Sequence, residues 1–157
     1  MITIYTDGSS RGNPGPGGYA AIIFEGDKVK EIGGWEEETT NNRMELRAVI
    51  EALRSIPEDS EIEIHSDSEY VVKGITLWAL NWQKNGWRTK AKKDVLNKDL
   101  WEELLKEVEN RKVTWNHVRG HAESKLNNRC DRLATQFADG LYVKLYNGPK
   151  EKYFFKD

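Results

Sequence analysis

The chain has 157 residues, a length that fits one domain, and its 24 basic and 26 acidic residues leave a net charge of −2. This balance predicts neither a nucleic-acid nor a membrane partner unless charge clusters locally. A single cysteine excludes an internal disulfide, and residues 1–4 lack the pattern of a signal peptide. No apolar run approaches the roughly 20 residues that span a bilayer. We therefore expect a cytoplasmic protein without a membrane partner.

The chain opens with a predicted strand over residues 2–10. Side chains alternate there, and β-branched or aromatic residues dominate its first half. Asp7 lies toward the carboxyl end and is followed by a glycine-rich run, where the backbone can approach a ligand closely. Two more strands are predicted at residues 18–24 and 29–35, joined by a hairpin turn at residues 25–27. The three strands form an antiparallel meander.

A helix and a fourth strand come next. The run Thr39-Thr40-Asn41-Asn42 is dense in helix-capping residues, and the helix that it begins stops before Pro57. Its apolar face consists of Leu46, Val49, Ile50 and Leu53. Residues 61–66 form a strand that ends at Asp67. Because the crossover is right-handed, this strand runs parallel to the first, and if the two are neighbours Asp7 and Asp67 meet at the crevice where such sheets bind ligands.

The second half of the chain is mostly helical. Residues 68–87 are predicted to be helical, residues 113–118 to form a fifth strand, residues 120–126 a loop and residues 127–138 a last helix. The apolar side of one further helix consists of Leu100, Trp101, Leu104, Leu105 and Val108. The core side of the last helix consists of Cys130, Leu133, Ala134 and Phe137.

These elements predict an α/β fold, a five-stranded mixed sheet flanked by helices. Strands 1–3 form the meander, and strands 4 and 5 run parallel to strand 1. We assign residues 1–138 to a single domain. Residues 139–157 are a C-terminal extension that is too apolar for an ordinary disordered tail, and the sequence gives it no predicted place or role.

Four acidic residues lie at the ends of these elements: Asp7, Glu45, Asp67 and Asp131. Each has a purely structural explanation, because Asp7 precedes a turn, Asp67 can cap a helix, and the other two lie three residues after asparagines near helix starts. The topology nevertheless sends all four to one end of the sheet, where they repel each other unless a cation is present. Carboxylates without His or Cys suit Mg²⁺ or Mn²⁺, and two such ions about 3.5–4 Å apart hydrolyse phosphodiesters.

Residues 84–93 carry five cations and no acid. The cations are Lys84, Arg88, Lys90, Lys92 and Lys93. A run of charge is usually only a solvated face, but this one is interleaved with Trp82 and Trp87 in an otherwise nearly neutral chain. The pattern favours a surface that tracks phosphates.

Six motifs occur in order between Ile2 and about Ala138. They are Thr6-Asp7-Gly8-Ser9, Gly12-Asn13-Pro14-Gly15-Pro16-Gly17-Gly18, Thr39-Thr40-Asn41-Asn42-Arg43-Met44-Glu45-Leu46, Ser66-Asp67-Ser68, Gly120-His121-Ala122 and Asn127-Asn128-Arg129-Cys130-Asp131. In content and order the sequence resembles the type 1 ribonucleases H of bacteria. The resemblance implies a ribonuclease H-like fold and cleavage of the RNA strand of RNA–DNA hybrids, leaving 5′-phosphate and 3′-hydroxyl ends.

The resemblance also implies roles for individual residues. Asp7, Glu45, Asp67 and Asp131 would hold two Mg²⁺ with substrate, or Mn²⁺, and one ion would activate water while the other stabilises the leaving oxygen. His121 would move a proton or help the product leave, although a lone histidine is more often a solvated loop residue. The remaining residues implied in substrate binding are Gly8, Ser9, Ser10, Asn13, Thr40, Asn41, Trp78, Lys84, Arg88, Lys90, Lys92, Lys93 and Asn97.

These substrate residues fall into three groups. The backbone near Gly8 and the side chains of Asn13 and Asn41 would sense 2′-hydroxyls in the minor groove. The cations of residues 84–93 match the basic protrusion of the family. Trp78 resembles an aromatic residue that packs on the sugars of the DNA strand, although a tryptophan on an amphipathic helix more often lies in the core.

The chain departs from the family pattern at two places. Many relatives carry an arginine that helps hold a DNA phosphate, and Glu38 replaces it here beside Thr40 and Asn97, which puts that phosphate pocket in question. Glu123-Ser124 replaces a Gly-His pair in the loop of His121.

Two other functions stay open, a DNA-processing nuclease of the same fold and a non-catalytic module that binds hybrids. For the enzyme we expect a monomer.

Overall fold

A six-stranded mixed sheet lies at the centre of the computed structural model, which describes residues 1–118 and 125–153. The strands are β1 (Ile2–Ser10), β2 (Gly15–Glu25), β3 (Lys28–Thr39), β4 (Glu61–Ser66), β5 (Lys112–His117) and β6 (Asn147–Pro149), in the order β5-β4-β1-β2-β3-β6. β1, β2 and β3 form an antiparallel meander, and β4 and β5 run parallel to β1. The predicted α/β fold and the directions of its five strands are confirmed.

The register between β1 and β4 places two acidic residues side by side. Thr6 pairs with Ser66, the last residue of β4, so Asp7 and Asp67 are the next residues along two neighbouring parallel strands. The alternation that predicted β1 explains why this register is fixed, because a slip by one residue would move the buried Ile2 and Ile4 to the opposite face. Asp7 and Asp67 therefore lie side by side at the same level of two neighbouring inner strands.

The sixth strand comes from the C-terminal extension. β6 pairs antiparallel with residues 28–30 of β3, and the backbone nitrogen of Glu31 donates to the carbonyl of Tyr146 at 2.8 Å. The sequence of β6 is Asn-Gly-Pro, which gives no strand signal, so the sheet has one strand more than predicted. Contacts of the flanking residues, rather than strand propensity, hold it there.

The most extensive of these contacts converge on the buried side chain of Glu31. Its carboxylate accepts hydrogen bonds from Arg129 Nε at 2.9 Å, from the backbone nitrogen of Tyr146 at 2.8 Å and from the Tyr153 hydroxyl at 2.7 Å. Burial by itself raises the pKa of Glu31, but these donors outweigh burial and lower it. These hydrogen bonds hold residues 146–153 against β3, which carries Glu31, and link them to the last long helix, which carries Arg129.

Helices cover both faces of the sheet. α1 (Asn41–Arg54) and α4 (Lys98–Val108) share one core with Ile4 and Ile64, whereas α5 (Lys125–Ala138) packs on the other face against Ile22 and Ala20. α5 begins two residues earlier than predicted, so the predicted loop at residues 120–126 is wrong for its last two residues. α6 (Lys150–Tyr153) is a single turn. Within the described residues, none of the helices is long and apolar enough to cross a membrane.

The single helix predicted at residues 68–87 is wrong in extent. The structure has α2 (Glu69–Lys73), a π-helical turn (Gly74–Trp78) and α3 (Ala79–Lys84), after which Gly86 and Trp87 adopt positive φ and turn the chain. A Cβ atom on Gly74 would lie 2.1 Å from the Trp101 ring, so this segment passes closer to α4 than any residue with a side chain could. The helical periodicity of the sequence could not indicate the π-helical turn, because the turn lies where Gly74 approaches the Trp101 ring of a distant helix.

Candidate active site

The absence of a side chain at Gly8 brings β1 against the start of α1. A Cβ atom there would lie 2.4 Å from the backbone nitrogen of Glu45 and 2.4 Å from the carbonyl carbon of Met44. Such an approach is open only to glycine. The backbone nitrogen of Gly8 also donates to Asp7 Oδ1 at 2.8 Å, which orients that carboxylate. The Asp-Gly pair is therefore more than a turn, because it sets how close Asp7 comes to Glu45.

Three of the four predicted metal ligands lie together. One carboxylate oxygen from each of Asp7, Glu45 and Asp67 lies within 4.8 Å of the others. Asp7 and Glu45 are only 4% and 7% exposed, and Asp67 is half-buried. Asp131 lies on the exposed side of α5 and does not join this group, although its charge contributes to the electrostatics of Asp7. We call the three residues the carboxylate cluster.

Burial and mutual repulsion raise the pKa values of the two most buried members. Burial raises the pKa of Asp7 to about 7, and the charges of Asp67 and Asp131 act in the same direction. Burial, followed by the charge of Asp7, raises the pKa of Glu45 well above its usual range. Without a cation, burial and mutual repulsion therefore both favour the protonated form of these two carboxyl groups.

The carboxylate cluster has the composition of a site for a hard divalent cation. Among the described residues, no donor faces Asp7 Oδ2 or Glu45 Oε1, although both atoms are buried. A buried acceptor without a partner is costly, and a cation would satisfy both oxygens at once. All three side chains offer oxygen, and no nitrogen or sulfur ligand from the described part of the chain belongs to the group, which suits Mg²⁺ or Mn²⁺ rather than zinc.

The raised pKa values predict how stability depends on pH when no metal is present. Asp7 and Glu45 bind more protons in the folded state than in the unfolded state, so the free energy of unfolding falls as pH rises from about 4 through about 7. We expect Asp7→Asn to remove part of this decline and to stabilise the metal-free protein at pH 8 by roughly 1–4 kcal/mol. Urea unfolding in EDTA at pH 5 and pH 8 measures the difference.

The control for this experiment is Asp27→Asn, which removes an exposed carboxylate from the hairpin turn at the opposite end of the sheet. Its unfolding curves should follow those of the unsubstituted protein at both pH values. Equal pH dependence for Asp7→Asn and the unsubstituted protein would contradict the raised pKa of Asp7 in the carboxylate cluster.

The ends of β1 and α1 nearest the carboxylate cluster are linked by hydrogen bonds. The backbone nitrogen of Ser10 donates to Asn41 Oδ1 at 3.0 Å, and the Thr40 hydroxyl caps α1 by accepting from the backbone nitrogen of Arg43 at 3.2 Å. Ser9 is half-buried, whereas Asn13 lies exposed in the turn between β1 and β2. Of the predicted minor-groove residues, those of β1 and Asn41 are therefore held in a fixed mutual position, whereas Asn13 belongs to the turn.

A second polar network surrounds Asn97, which begins α4 with a positive φ of 61°. Its Oδ1 accepts from Arg43 Nη1 at 3.3 Å, and its Nδ2 donates to the Tyr70 hydroxyl at 3.1 Å. Arg43 also makes a two-pronged ion pair with Asp99, at 2.9 and 2.7 Å. Glu38 is exposed and appears in no such contact among the described residues.

Sequence reasoning did not assign Arg43 and Tyr70 to the neighbourhood of the predicted phosphate pocket. Arg43 lies inside the Asn-Asn-Arg-Met-Glu motif, so its position in the sequence could have indicated that it lies near the site. Tyr70 had no such signal, because its contacts to Asn97 and to Trp101 Nε1 at 3.0 Å depend on the packing of α2 against α4.

The predicted basic surface is an exposed loop anchored by one buried side chain. Trp87 is 9% exposed and lies in the core that includes α4, and its backbone nitrogen donates to the Trp82 carbonyl at 2.7 Å. The loop closes through a bridge between Arg88 and Asp94. All five cations of residues 84–93 are exposed to solvent, and we call this segment the basic loop.

Trp78 lies at the rim of the core rather than inside it. It is 37% exposed, and its ring lies 5.8 Å from that of Trp82, which in turn packs against Trp101 at 5.7 Å. This row of tilted and edge-to-face rings runs from the core to the surface, so Trp78 is packed on one side and still accessible to a ligand. His121 and Glu123 lie outside the described residues.

The sequence profile of the RNase H family matches residues 1–139. Ribonuclease H of Solibacter usitatus is 50% identical over 137 residues, which are 87% of this chain and 94% of the relative. Ribonuclease H of Pelobacter propionicus is 53% identical over 135 residues, which are 86% of this chain and 83% of the relative.

Two solved structures have the same fold. LC9-RNase H1, a type 1 RNase H with the type 2 active-site motif, superposes with a TM-score of 0.82 at 32% identity, and the match covers 97% of this chain and 79% of that one. LC11-RNase H1, solved in complex with an RNA/DNA hybrid, superposes with a TM-score of 0.68 at 27% identity, covering 89% and 98% of the two chains.

Proposed function

The chain belongs to the ribonuclease H family, and on that premise we propose that it is a metal-dependent endonuclease that hydrolyses the RNA strand of RNA–DNA hybrids. The observation that carries the proposal is the carboxylate cluster, in which Asp7 of β1, Asp67 directly after β4 and Glu45 of α1 come together. A protein that only binds hybrids has no need for buried carboxylates whose repulsion is relieved by a cation.

We assign the metal ligands to Asp7, Glu45, Asp67 and Asp131. The carboxylate cluster supplies the buried part of the site, and Asp131 supplies an exposed carboxylate from α5 when substrate is present. When two Mg²⁺ are bound, they supply an activated water and a Lewis acid for the leaving 3′ oxygen, so the products carry 5′-phosphate and 3′-hydroxyl ends.

The protein's own groups position the substrate. The buried environment of Asp7 and Glu45 keeps water away from one side of the site, and the hydrogen bond from Gly8 holds the orientation of Asp7. His121 accepts or returns a proton at the scissile phosphate, by its place in the family motif.

Recognition of the hybrid uses both strands. The backbone of residues 8–10 and the side chains of Asn13 and Asn41 contact 2′-hydroxyls of the RNA strand, which distinguish RNA from DNA. Thr40, Asn97 and Trp78 face the DNA strand, and the basic loop tracks its phosphates. The chain acts on the hybrid as a monomer.

The direct test offers matched duplexes of RNA–DNA hybrid, RNA and DNA to the full chain, with Mg²⁺ and with EDTA. We expect cleavage of the RNA strand of the hybrid alone, and only with Mg²⁺ or Mn²⁺. Cleavage of duplex DNA would favour a DNA-processing nuclease, and hybrid binding without cleavage under any metal would favour a non-catalytic module.

The basic loop should supply affinity that does not depend on sequence. Replacing its five cations by Gln should weaken hybrid binding and reduce the log–log slope of affinity against salt by roughly 0.7–0.9 for each lost phosphate contact, because fewer counterions are released. Turnover at saturating substrate should change little, since these side chains contact no reacting atom. Fluorescence anisotropy of a labelled hybrid over a salt series, in Ca²⁺, gives the slope.

Lys112→Gln is the matched control, because this exposed lysine lies on the edge strand β5. It should leave the slope unchanged. If the variant with all five substitutions kept the salt slope of the unsubstituted protein, the basic loop would be only a solvated surface.

A further inference from the structure

A cavity of about 630 Å³ lies between α5 and the C-terminal extension, away from the carboxylate cluster. We call it the α5 groove. Its walls include Lys125, Arg129 and Gln136 from α5, and Tyr142, Lys144 and Asn147 from the extension. The volume falls in the range of about 300–1,000 Å³ that is typical of small-ligand sites.

The α5 groove is electropositive. Among the described residues, no aspartate or glutamate lines the groove, and neither Lys125 nor Lys144 takes part in an ion pair. Arg129 is the exception, because its guanidinium pairs with the Glu31 carboxylate beneath the groove at 2.9 Å. Two exposed ammonium groups, one on each wall, therefore remain to attract an anion.

The other lining groups suit an aromatic base. Tyr142 is 91% exposed and offers an uncovered ring, and tyrosine is enriched at interfaces because its ring is apolar and its hydroxyl is polar. Gln136 and Asn147 each present a carboxamide, which can donate and accept hydrogen bonds at the edge of a base. Cationic groups combined with an exposed aromatic ring are the recurring components of single-strand binding sites.

We propose that the α5 groove binds a nucleotide unit, a base that carries a phosphate, with the phosphate between Lys125 and Lys144 and the base against Tyr142. The unit is either a free nucleotide or part of a single strand that extends beyond the hybrid. This site takes no part in the proposed cleavage, and the walls described above do not include any of the proposed metal ligands.

NMR titration of the ¹⁵N-labelled full chain in EDTA tests the proposal without any cleavage step. The probes are adenosine 5′-monophosphate, a five-residue deoxyadenylate strand, adenosine and inorganic phosphate. We expect saturable shifts of the side-chain amides of Gln136 and Asn147, with the monophosphate binding more tightly than adenosine or phosphate. Tighter binding of the strand than of the monophosphate would identify single-stranded nucleic acid as the ligand, and the reverse order would identify the free nucleotide.

Variants assign the binding to the groove. Lys144→Glu should weaken the affinity at least about tenfold, which corresponds to about 1.4 kcal/mol, and Tyr142→Ala should abolish the preference for the monophosphate over phosphate. Lys106→Glu, the same change at an exposed position of α4 on the other face of the sheet, should have no effect. Because both groove positions are surface residues, backbone spectra should show that the variants remain folded.

The proposal is overturned if the amides of Gln136 and Asn147 do not shift at millimolar probe, if shifts are confined to the basic loop, or if Lys106→Glu weakens binding as much as Lys144→Glu. Loss of cleavage in the functional test would leave these readouts unaffected, so the two proposals fail separately.

Discussion

Asp7→Asn is expected to lower the rate of hybrid cleavage by more than about a thousandfold, equivalent to about 4 kcal/mol of barrier. The amide nearly preserves the shape of the side chain but removes the charge of the buried oxygen, Oδ2, that no described donor faces. Asp67→Asn should have a comparable effect, because its carboxylate completes the same cluster. Single-turnover cleavage at saturating Mg²⁺ measures both.

Binding should behave differently from cleavage in these variants. Removing an anion from the carboxylate cluster relieves its repulsion with substrate phosphates, so hybrid affinity in Ca²⁺ or without metal should stay near that of the unsubstituted protein or rise. Asp27→Asn, far from the cluster, should change neither quantity. A variant that retained a tenth of the activity would exclude the replaced residue as a metal ligand.

Gly8→Ala is expected to damage both stability and catalysis. The added Cβ would lie 2.4 Å from backbone atoms of Met44 and Glu45, so β1 and α1 must separate. We expect a loss of roughly 1–3 kcal/mol in the free energy of unfolding, as in other overpacked sites. We also expect a fall in activity of about a hundredfold, because a displacement of about 1 Å suffices for such a loss. Urea unfolding and single-turnover cleavage provide the two measurements.

Gly26→Ala is the control for Gly8→Ala, because it introduces backbone strain without any steric contact. Gly26 has a positive φ of 59°, and nothing lies within 4 Å of a Cβ placed there. Its replacement should cost about 1–2 kcal/mol through strain and leave cleavage unchanged. Full activity in Gly8→Ala would mean that the close approach of β1 and α1 does not position the carboxylate cluster.

The sequence was informative where local pattern and chain topology coincide. Alternation located β1, and the handedness of the crossover gave the direction of β4, parallel to β1. That the two strands are neighbours was only a condition of the sequence argument, and the structure supplies it, so Asp7 and Asp67 lie side by side. The amphipathic spacing of α1 likewise predicted its buried face. These are consequences of burying apolar residues, so they can be read from residue types alone.

Features that depend on contact between distant segments could not be read in this way. The meeting of Asp7 with Glu45 requires the missing side chain of Gly8, and β6 requires the buried carboxylate of Glu31. The position of Asp131 outside the cluster depends on how α5 lies on the sheet. In each case the sequence supplies a plausible residue, and tertiary packing decides its neighbours.

The hydrogen bonds to Glu31 also constrain how the protein is made. Tyr153, which donates to the carboxylate of Glu31, is synthesised 122 residues after it. Until then a carboxylate destined for the interior lacks one of its donors, and Arg129 is itself a late partner. The outer edge of β3 therefore reaches its final packing only after residues 146–153 have been synthesised, and until then the nascent chain carries it as an unpaired strand edge.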